Sequence, residues 1–167
     1  MRKLLTLAGL LFLMACQSES GGQFPPKEVE LITPSGEIIK TRLAITEPEQ
    51  EKGLSGVRED EFSENEGMLF YYSEDGERHF WMPDTYFDLD IIYLNRELII
   101  TDIVRNLPHY IGKANPELIP RARAVWARHA LEMKATSKIS KNLKIGDKLK
   151  WQASISTQVL DEKIRAD

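Results

Sequence analysis

Residues 89–104 read LDIIYLNRELIITDIV, two apolar runs separated by Asn95-Arg96. Isoleucine and leucine dominate both runs, and an asparagine between such runs is typical of a turn. A strand that is apolar along almost its whole length is usually buried on both faces. We therefore predict that residues 89–94 and 97–104 pair as a hairpin at the centre of the core.

Turn residues divide the rest of the chain into further short elements. Residues 28–33 and 37–45 flank a Thr-Pro-Ser-Gly sequence that suits a β-turn, which predicts a first hairpin. Thr46-Glu47-Pro48-Glu49 has the spacing of a helix capping box, and Gly53 is placed to end that helix. Strands are also predicted at residues 68–72 and 78–82 about a turn at 73–77, and at 125–133 and 148–152, with a short helix at 135–142.

Short strands at close spacing, with few helices, indicate a mainly β fold and not a parallel α/β fold. Residues 106–123 contain three prolines and predict a long surface loop. We predict a single compact antiparallel β-sandwich or barrel-like domain with one or two short helices. This domain spans residues 28–152, and residues 153–167 form a C-terminal tail in which we expect at most a frayed helix.

The first fifteen residues have the organisation of a signal peptide. Arg2 and Lys3 precede an apolar run at residues 4–15, and the small residue Ala15 stands before Cys16, the only cysteine. As a helix this run would extend roughly 18 Å, against roughly 30 Å of bilayer hydrocarbon, so it is too short to span a membrane. Residues 16–27 are rich in Ser, Gly, Gln and Pro and predict a flexible tether.

Leu13-Met14-Ala15-Cys16 resembles the lipobox of bacterial lipoproteins, whereas a plain secretory signal needs no cysteine at this point. The resemblance implies that Cys16 is lipidated and anchors the protein in a lipid bilayer of the cell envelope. Because Gln17 is not the aspartate of inner-membrane lipoproteins, it further implies an outer membrane, facing the periplasm, in a Gram-negative cell. Lipidation consumes the only thiol, which excludes disulfides and cysteine catalysis in the mature protein.

Charge is unevenly distributed along a chain whose net charge is -4. Residues 47–77 hold eleven acids and two bases, and residues 105–150 hold eleven bases and three acids. These bases lack the interleaved aromatic side chains that stack on nucleic-acid bases, so we predict solvated faces and no nucleic-acid partner. No nucleophile elbow, phosphate-binding glycine loop or dinucleotide motif is present.

Several short motifs are similar, in order and spacing, to those of the domain-of-unknown-function family 192. They are Gly53-Leu54 with Arg58, Gly67-Met68-Leu69-Phe70, Phe80-Trp81-Met82 with Thr85, Leu89-Asp90-Ile91, Leu131-Glu132 and Ile145-Gly146-Asp147. The resemblance implies a compact, often exported, β-sandwich-like domain with no established reaction. Pro83-Asp84 and Asp88 depart from the Lys-Asn and Pro that are usual in the family.

Aromatic and polar side chains are most concentrated between His79 and Asp90, a mixture that is typical of small-molecule sites. The alternative is that Trp81 and Phe80 only fill the core. Glu132 lies within an apolar strand, where a carboxylate needs a partner, and we expect Arg58 to be that partner. The candidate binding residues are Arg58, Trp81, Thr85, Asp88, Asp90 and Glu132.

Three functions remain open at this point. The first is an envelope domain that binds an unknown small ligand or another envelope component. The second is a hydrolase or lyase acting on an envelope polymer, with Asp90 and Glu132 as acid and base, or with Asp88 beside Asp90. The third is a protein-partner domain. His79, His109 and His129 lack the close spacing of metal ligands, so we predict no metal and no cofactor.

Overall fold

The computed structural model describes residues 27–152 and 157–166, and these form nine strands and three short α-helices. The strands are β1 Glu28–Ile32, β2 Ile38–Ala44, β3 Glu66–Phe70, β4 Gly76–Arg78, β5 Leu89–Leu94, β6 Ile100–Leu107, β7 Val125–Ala127, β8 His129–Lys134 and β9 Lys150–Trp151. The helices are α1 Glu47–Lys52, α2 Lys138–Asn142 and α3 Thr157–Ala166. Within the described part of the chain, no helix has the length and apolarity needed to cross a membrane.

Seven strands form one curled sheet in the order β6-β5-β8-β3-β2-β1-β9, and β4 pairs with β7 in a separate two-stranded sheet. The backbone N–H of Ile100 donates to Asp147, and that of Leu149 donates to Leu98, which links the two ends of the large sheet. The resulting half-barrel confirms the predicted mainly β, barrel-like class. One neighbouring pair, β2 and β3, is parallel because α1 and the following loop carry the chain across between them.

The predicted central hairpin is confirmed as β5 and β6, although β6 begins three residues later than expected. All six residues of β5 are buried. Ile92 and Leu94 pack on what we call the first face of the sheet, and Leu89, Ile91 and Tyr93 pack on its second face. The sequence lacks polar alternation here because both faces of the strand are covered.

The first hairpin and the first helix also form as the turn and capping patterns predict. β1 and β2 pair with Glu30 opposite Lys40. Glu49 closes the capping box of α1, since its backbone N–H donates to the Thr46 hydroxyl and its carboxylate accepts from the Thr46 backbone. Gly53 ends the helix with a φ of 47°, a conformation that favours glycine.

Two predicted strand assignments are wrong. Residues 68–72 and 78–82 do not form a hairpin, because β3 pairs with β2 and β8 while β4 pairs with β7. The sequence of β3 is apolar enough for the interior of the large sheet, whereas Gly-Glu-Arg in β4 is not. The strand predicted at residues 125–133 is interrupted at Arg128, which separates β7 from β8.

The C-terminal helix α3 packs against the domain. Leu160 is fully buried within the cluster that covers the first face of the sheet. The Tyr71 hydroxyl donates a hydrogen bond of 3.2 Å to the Asp161 carboxylate. The tail therefore contributes an apolar anchor to the core beyond residue 152.

Replacing Leu160 with alanine tests this packing. Because Leu160 is fully buried, Leu160→Ala should lower the free energy of unfolding by about 2–5 kcal/mol, measured by urea denaturation. The control is Gln158→Ala on the exposed side of the same helix, which should change it by less than about 0.5 kcal/mol. Equal effects of the two substitutions would mean that α3 does not pack on the core in solution.

Candidate functional site

A cleft of about 280 Å³ opens over the second face of the large sheet. Helix α1 and the loop Gly53-Leu54-Ser55 form one wall, and the segment from His79 to Pro83 forms the other. The cleft is closed below by Phe70 of β3, Leu89 of β5 and Glu132 of β8, together with Tyr72 just after β3. The cleft therefore combines apolar and polar side chains, with a single carboxyl group contributed by the sheet.

Glu132 reaches the cleft because of its register on β8. This strand lies between β3 and β5, with Glu132 directly opposite Met68 on one side and Ile91 on the other. Directly opposite residues in antiparallel strands share a face, so the Glu132 side chain points to the second face. Only 4% of Glu132 is exposed, although it lines the cleft.

The Glu132 carboxyl has no hydrogen-bond or ion-pair partner in the part of the chain that the structure describes. Among residues 27–152 and 157–166, none donates a hydrogen bond to this carboxyl, and none of the six ion pairs includes it. Burial alone raises the pKa of Glu132 to about 8. The group is therefore protonated near neutral pH and available to the cleft.

His129 lies on the same strand but on the other face, as the alternation of side chains requires. Its ring stacks on Tyr71 with 4.3 Å between centroids, and its Nδ1 accepts a 3.2 Å hydrogen bond from the Tyr72 backbone. Burial lowers the pKa of His129 to about 3, helped by nearby Arg128 and Arg78. This histidine is a neutral structural group and does not act together with Glu132.

Trp81 lies at the rim of the cleft, with 45% of its surface exposed, whereas Phe80 is buried in the core. The Arg121 guanidinium lies 5.0 Å from the centroid of the Trp81 ring. Phe80 therefore packs in the core and contributes to the lining from there, whereas Trp81 does not fill the core and stands exposed at the rim. Tyr72 lines the cleft as well, and the Arg78 guanidinium lies 3.6 Å from its ring centroid.

Thr85 is buried at the edge of the cleft, where its hydroxyl donates to the Pro83 carbonyl at 3.3 Å. The turn before it is fixed by Asp84, which has a positive φ of 51°. The Asp84 carbonyl accepts from Gly56, and its carboxylate accepts from Gly112. These contacts hold the Trp81 wall against the loop that follows α1.

Asp90 faces away from the cleft. Its carboxylate accepts hydrogen bonds from Arg105 at 2.6 Å, from the Ser140 hydroxyl at 2.7 Å and from the Asn106 backbone at 2.9 Å. It therefore joins β5 to β6 and to α2 on the first face. Asp90 and Glu132 lie on opposite faces of the sheet, so the structure does not bring together the acid and base of the hydrolase hypothesis.

Asp88 is half exposed and lies outside the cleft lining. Its carboxylate accepts from both the ring and the backbone of His109, at 2.6 and 2.9 Å. These hydrogen bonds lower the pKa of Asp88. Asp88 therefore fixes the start of the long loop, and it shares no partner with Asp90.

The expected pairing of Arg58 with Glu132 does not form. Arg58 is exposed, and its guanidinium lies 5.6 Å from the centroid of the Tyr86 ring. The neighbouring Glu59 carbonyl instead accepts a 2.9 Å hydrogen bond from the buried Lys134 ammonium. The loop after α1 is thus joined to β8 through Lys134, which leaves Arg58 at the surface.

No metal centre is formed by the described residues, which contain no group of three or more His, Cys, Asp or Glu able to hold an ion. His79 lies 3.3 Å from Glu77 at the surface, while His109 pairs with Asp88. Glu47 and Glu51 of α1 also line the cleft wall, and neither is among the residues predicted for the site. The capping box predicted their helix but carried no information about where it packs.

Comparison with known proteins supports the fold and identifies the family. No curated protein of established function matches the chain. A protein of unknown function from Novosphingobium aromaticivorans is 28% identical, with a TM-score of 0.58 over 74% of this chain and 84% of that one. A provisionally named transcription regulator from Sinorhizobium meliloti is 27% identical, with a TM-score of 0.57 over 74% of this chain and 92% of that one. The model of the domain-of-unknown-function family 192, described as an uncharacterized ACR, matches residues 30–151, and the chain belongs to this family.

Proposed function

We propose that the protein is a lipid-anchored domain of the cell envelope that binds a small ligand in the cleft at Glu132. The observation that carries this proposal is the Glu132 carboxyl, which is buried, faces the cleft and has no partner among the described residues. Buried polar groups in folded proteins are almost always hydrogen-bonded. A ligand with a complementary polar group would supply the missing hydrogen bond to the Glu132 carboxyl.

The energetics of Glu132 favour a functional role over a structural one. Burial of an acid without a partner lowers stability, and Glu132 joins no strand or helix to another through a hydrogen bond. Asp90 shows the contrast, since its three hydrogen bonds support the fold directly. A strongly shifted acid in a cleft is a candidate for binding or catalysis.

Binding is favoured over hydrolysis because Asp90, the carboxyl expected to act together with Glu132, is not in the cleft. Hydrolysis of a glycosidic bond by the common mechanisms needs two carboxyls on either side of the scissile bond. Asp90, the expected second group, faces the other side of the sheet and is occupied by Arg105. Trp81 and the apolar lining instead suit recognition of a small molecule.

The proposed anchor rests on the N-terminal sequence, where Arg2, Lys3 and an apolar run precede Cys16. A tether of eleven residues after Cys16 would average roughly 18 Å from end to end. Such a length keeps the cleft close to the membrane surface. The ligand would therefore be a component of the envelope or of the fluid next to it.

Replacing Cys16 with serine tests the anchor. Because serine cannot form the thioether to diacylglycerol, Cys16→Ser should leave the signal uncleaved or release the protein from the membrane. The measurement is fractionation of cells followed by mass spectrometry of the N terminus. The control is Ser18→Ala in the tether, which should remain processed and bound. A Cys16→Ser protein that is still cleaved and membrane-bound would refute lipidation.

The effect of pH on the free energy of unfolding tests whether the Glu132 carboxyl is protonated in the folded protein. Its folded-state pKa of about 8 lies above its usual value of 4.5, so the folded protein keeps a proton that the unfolded chain loses. The stabilisation from Glu132 is therefore complete below its unfolded pKa and is lost as the pH rises to about 8. The free energy of unfolding of the wild type, minus that of Glu132→Gln, should fall by about 1.4 kcal/mol per pH unit in this window.

Urea denaturation at several pH values measures this difference. Glu47→Gln, which removes an exposed carboxyl at the rim of the same cleft, is the matched control. The fall with pH should be clearly larger for Glu132→Gln than for this control. Equal curves for the two variants would mean that burial does not hold a proton on the Glu132 carboxyl.

A thermal-shift screen of the purified protein tests ligand binding, with envelope sugars, short peptides and divalent metal ions as probes. A bound probe at a hundred times its dissociation constant should add roughly 2.7 kcal/mol to the free energy of unfolding. Trp81→Ala should reduce this effect, whereas Trp126→Ala, an exposed tryptophan outside the cleft, should not. No shift with any probe would favour a protein-partner role.

A further inference from the structure

Resting on the proposed function, we infer that the ligand of the cleft is a small organic cation. In this arrangement the ammonium group of an amine contacts the Glu132 carboxylate, and its apolar body lies among the aromatic side chains of the walls.

The charged side chains that line the cleft are mostly acidic. They are Glu47, Glu51 and Glu132, against Lys52 and His79, and the lining includes no arginine. His79 is exposed at the rim, where its Nε2 lies 3.3 Å from the Glu77 carboxylate. Because acidic side chains outnumber basic ones in this lining, the cleft favours positively charged ligands over negatively charged ones.

Aromatic rings supply the second element of cation recognition. Phe70, Tyr72, Phe80 and Trp81 line the cleft. Tyr72 and Trp81 already contact Arg78 and Arg121, and neither arginine lines the cleft, so both approach these rings from outside. Ammonium groups in aromatic surroundings are stabilised by the negative faces of the rings.

Glu132 supplies the counter-charge within the cleft. A hydrogen bond between an ammonium and a carboxylate is roughly twice as strong as a neutral one, so an amine satisfies both the charge and the acceptor positions of Glu132. A divalent metal ion needs several oxygen ligands around it, which this single carboxyl does not supply. An organic cation with an apolar body therefore matches the cleft better than a metal ion.

Ion pairing at Glu132 changes the number of protons that the protein binds, which can be measured. Because burial holds the pKa of Glu132 at about 8, the free protein carries a proton there near neutral pH. Pairing with an ammonium lowers that pKa, so the carboxyl transfers its proton to the buffer while the ammonium keeps its own. Binding therefore releases close to one proton per ligand.

Several other titratable or charged groups face Glu132. They are Tyr93 from β5, Tyr72 from the loop after β3, Lys134 two residues along β8, His79 from the opposite wall, and Glu47, Glu51 and Lys52 from α1. Burial raises the pKa of both tyrosines, that of Tyr93 to about 12, so neither releases a proton near neutral pH. His79 is the residue type that commonly titrates there, and His79→Gln is therefore the control variant.

The test is isothermal titration calorimetry of the purified protein with benzylamine and with benzyl alcohol, which have nearly the same shape and differ in charge. Titrations near neutral pH in phosphate and in Tris, two buffers with different ionisation enthalpies, give the number of protons released. Benzylamine should bind at least about ten times more tightly than the alcohol and release close to one proton. Glu132→Gln should abolish the release and weaken binding at least about tenfold, whereas Trp126→Ala, outside the cleft, should retain both. His79→Gln should still release close to one proton for each ligand bound, and loss of the release in this variant would assign the proton to His79.

The outcomes separate the two proposals. If benzyl alcohol binds as tightly as benzylamine and no proton is released, the proposal of a cationic ligand is overturned, but the ligand site in the cleft is retained. Failure of benzylamine to bind would also overturn the proposal of a cationic ligand. If, in addition, no probe shifts the melting temperature in the thermal-shift screen, the proposal of a ligand site in the cleft is overturned as well. If Glu132→Gln does not fold, Trp81→Ala replaces it in the affinity comparison. The number of protons that the wild type releases on binding benzylamine then still tests whether the ligand pairs with an ionised carboxylate.

Discussion

The burial of strand β8 on both faces is the constraint on which the rest of the structure depends. β8 lies between β3 and β5 in the middle of the large sheet, and all six of its residues are buried although three of them are ionisable. A polar group in such a position has to find a partner or give up its charge. The three ionisable residues resolve this constraint in different ways, and those differences separate the structural groups from the candidate site.

His129 gives up its charge and stacks on Tyr71, with its Nδ1 accepting from the backbone of Tyr72. Lys134 keeps a partner, because its ammonium donates to the Glu59 carbonyl and lies 5.2 Å from the centroid of the Phe87 ring. Glu132 gives up its charge near neutral pH but finds no hydrogen-bond partner among the described residues, and it is the one that lines the cleft. The same strand thus provides two fixed structural contacts and one group open to a ligand.

The parts of the fold that were predictable from sequence depend on neighbouring residues. The β5–β6 hairpin, the β1–β2 hairpin and the capping box of α1 are each specified by a run of residues and its turn, and each formed in the expected place. The pairing of β3 with β2 and β8 depends on contacts far apart in the chain, which strand propensity does not encode. For this reason the β3–β4 hairpin was predicted where none forms.

In the candidate site, too, only the features that depend on neighbouring residues were predictable from the sequence. Glu132 and Trp81 were identifiable because an acid in an apolar strand and a tryptophan in a polar segment are unusual locally. Their surroundings were not identifiable, since the face on which Asp90 lies depends on the register of β5, and the wall formed by α1 depends on tertiary packing. Arg58 was chosen as a partner by charge alone, without the position of the loop that carries it.

Lys134 explains how Glu132 can remain unpaired. The two residues are two positions apart on β8, so their side chains share the second face, and an oppositely charged neighbour is the usual solution for a buried acid. The Lys134 ammonium instead turns to the Glu59 carbonyl, at the 3-10 turn Glu59–Glu61 beyond the cleft wall. That contact both holds the loop after α1 in place and keeps the available cation away from Glu132. The fold therefore has a suitable counter-ion within the same strand and directs it elsewhere, which is what a site that receives its cation from outside requires.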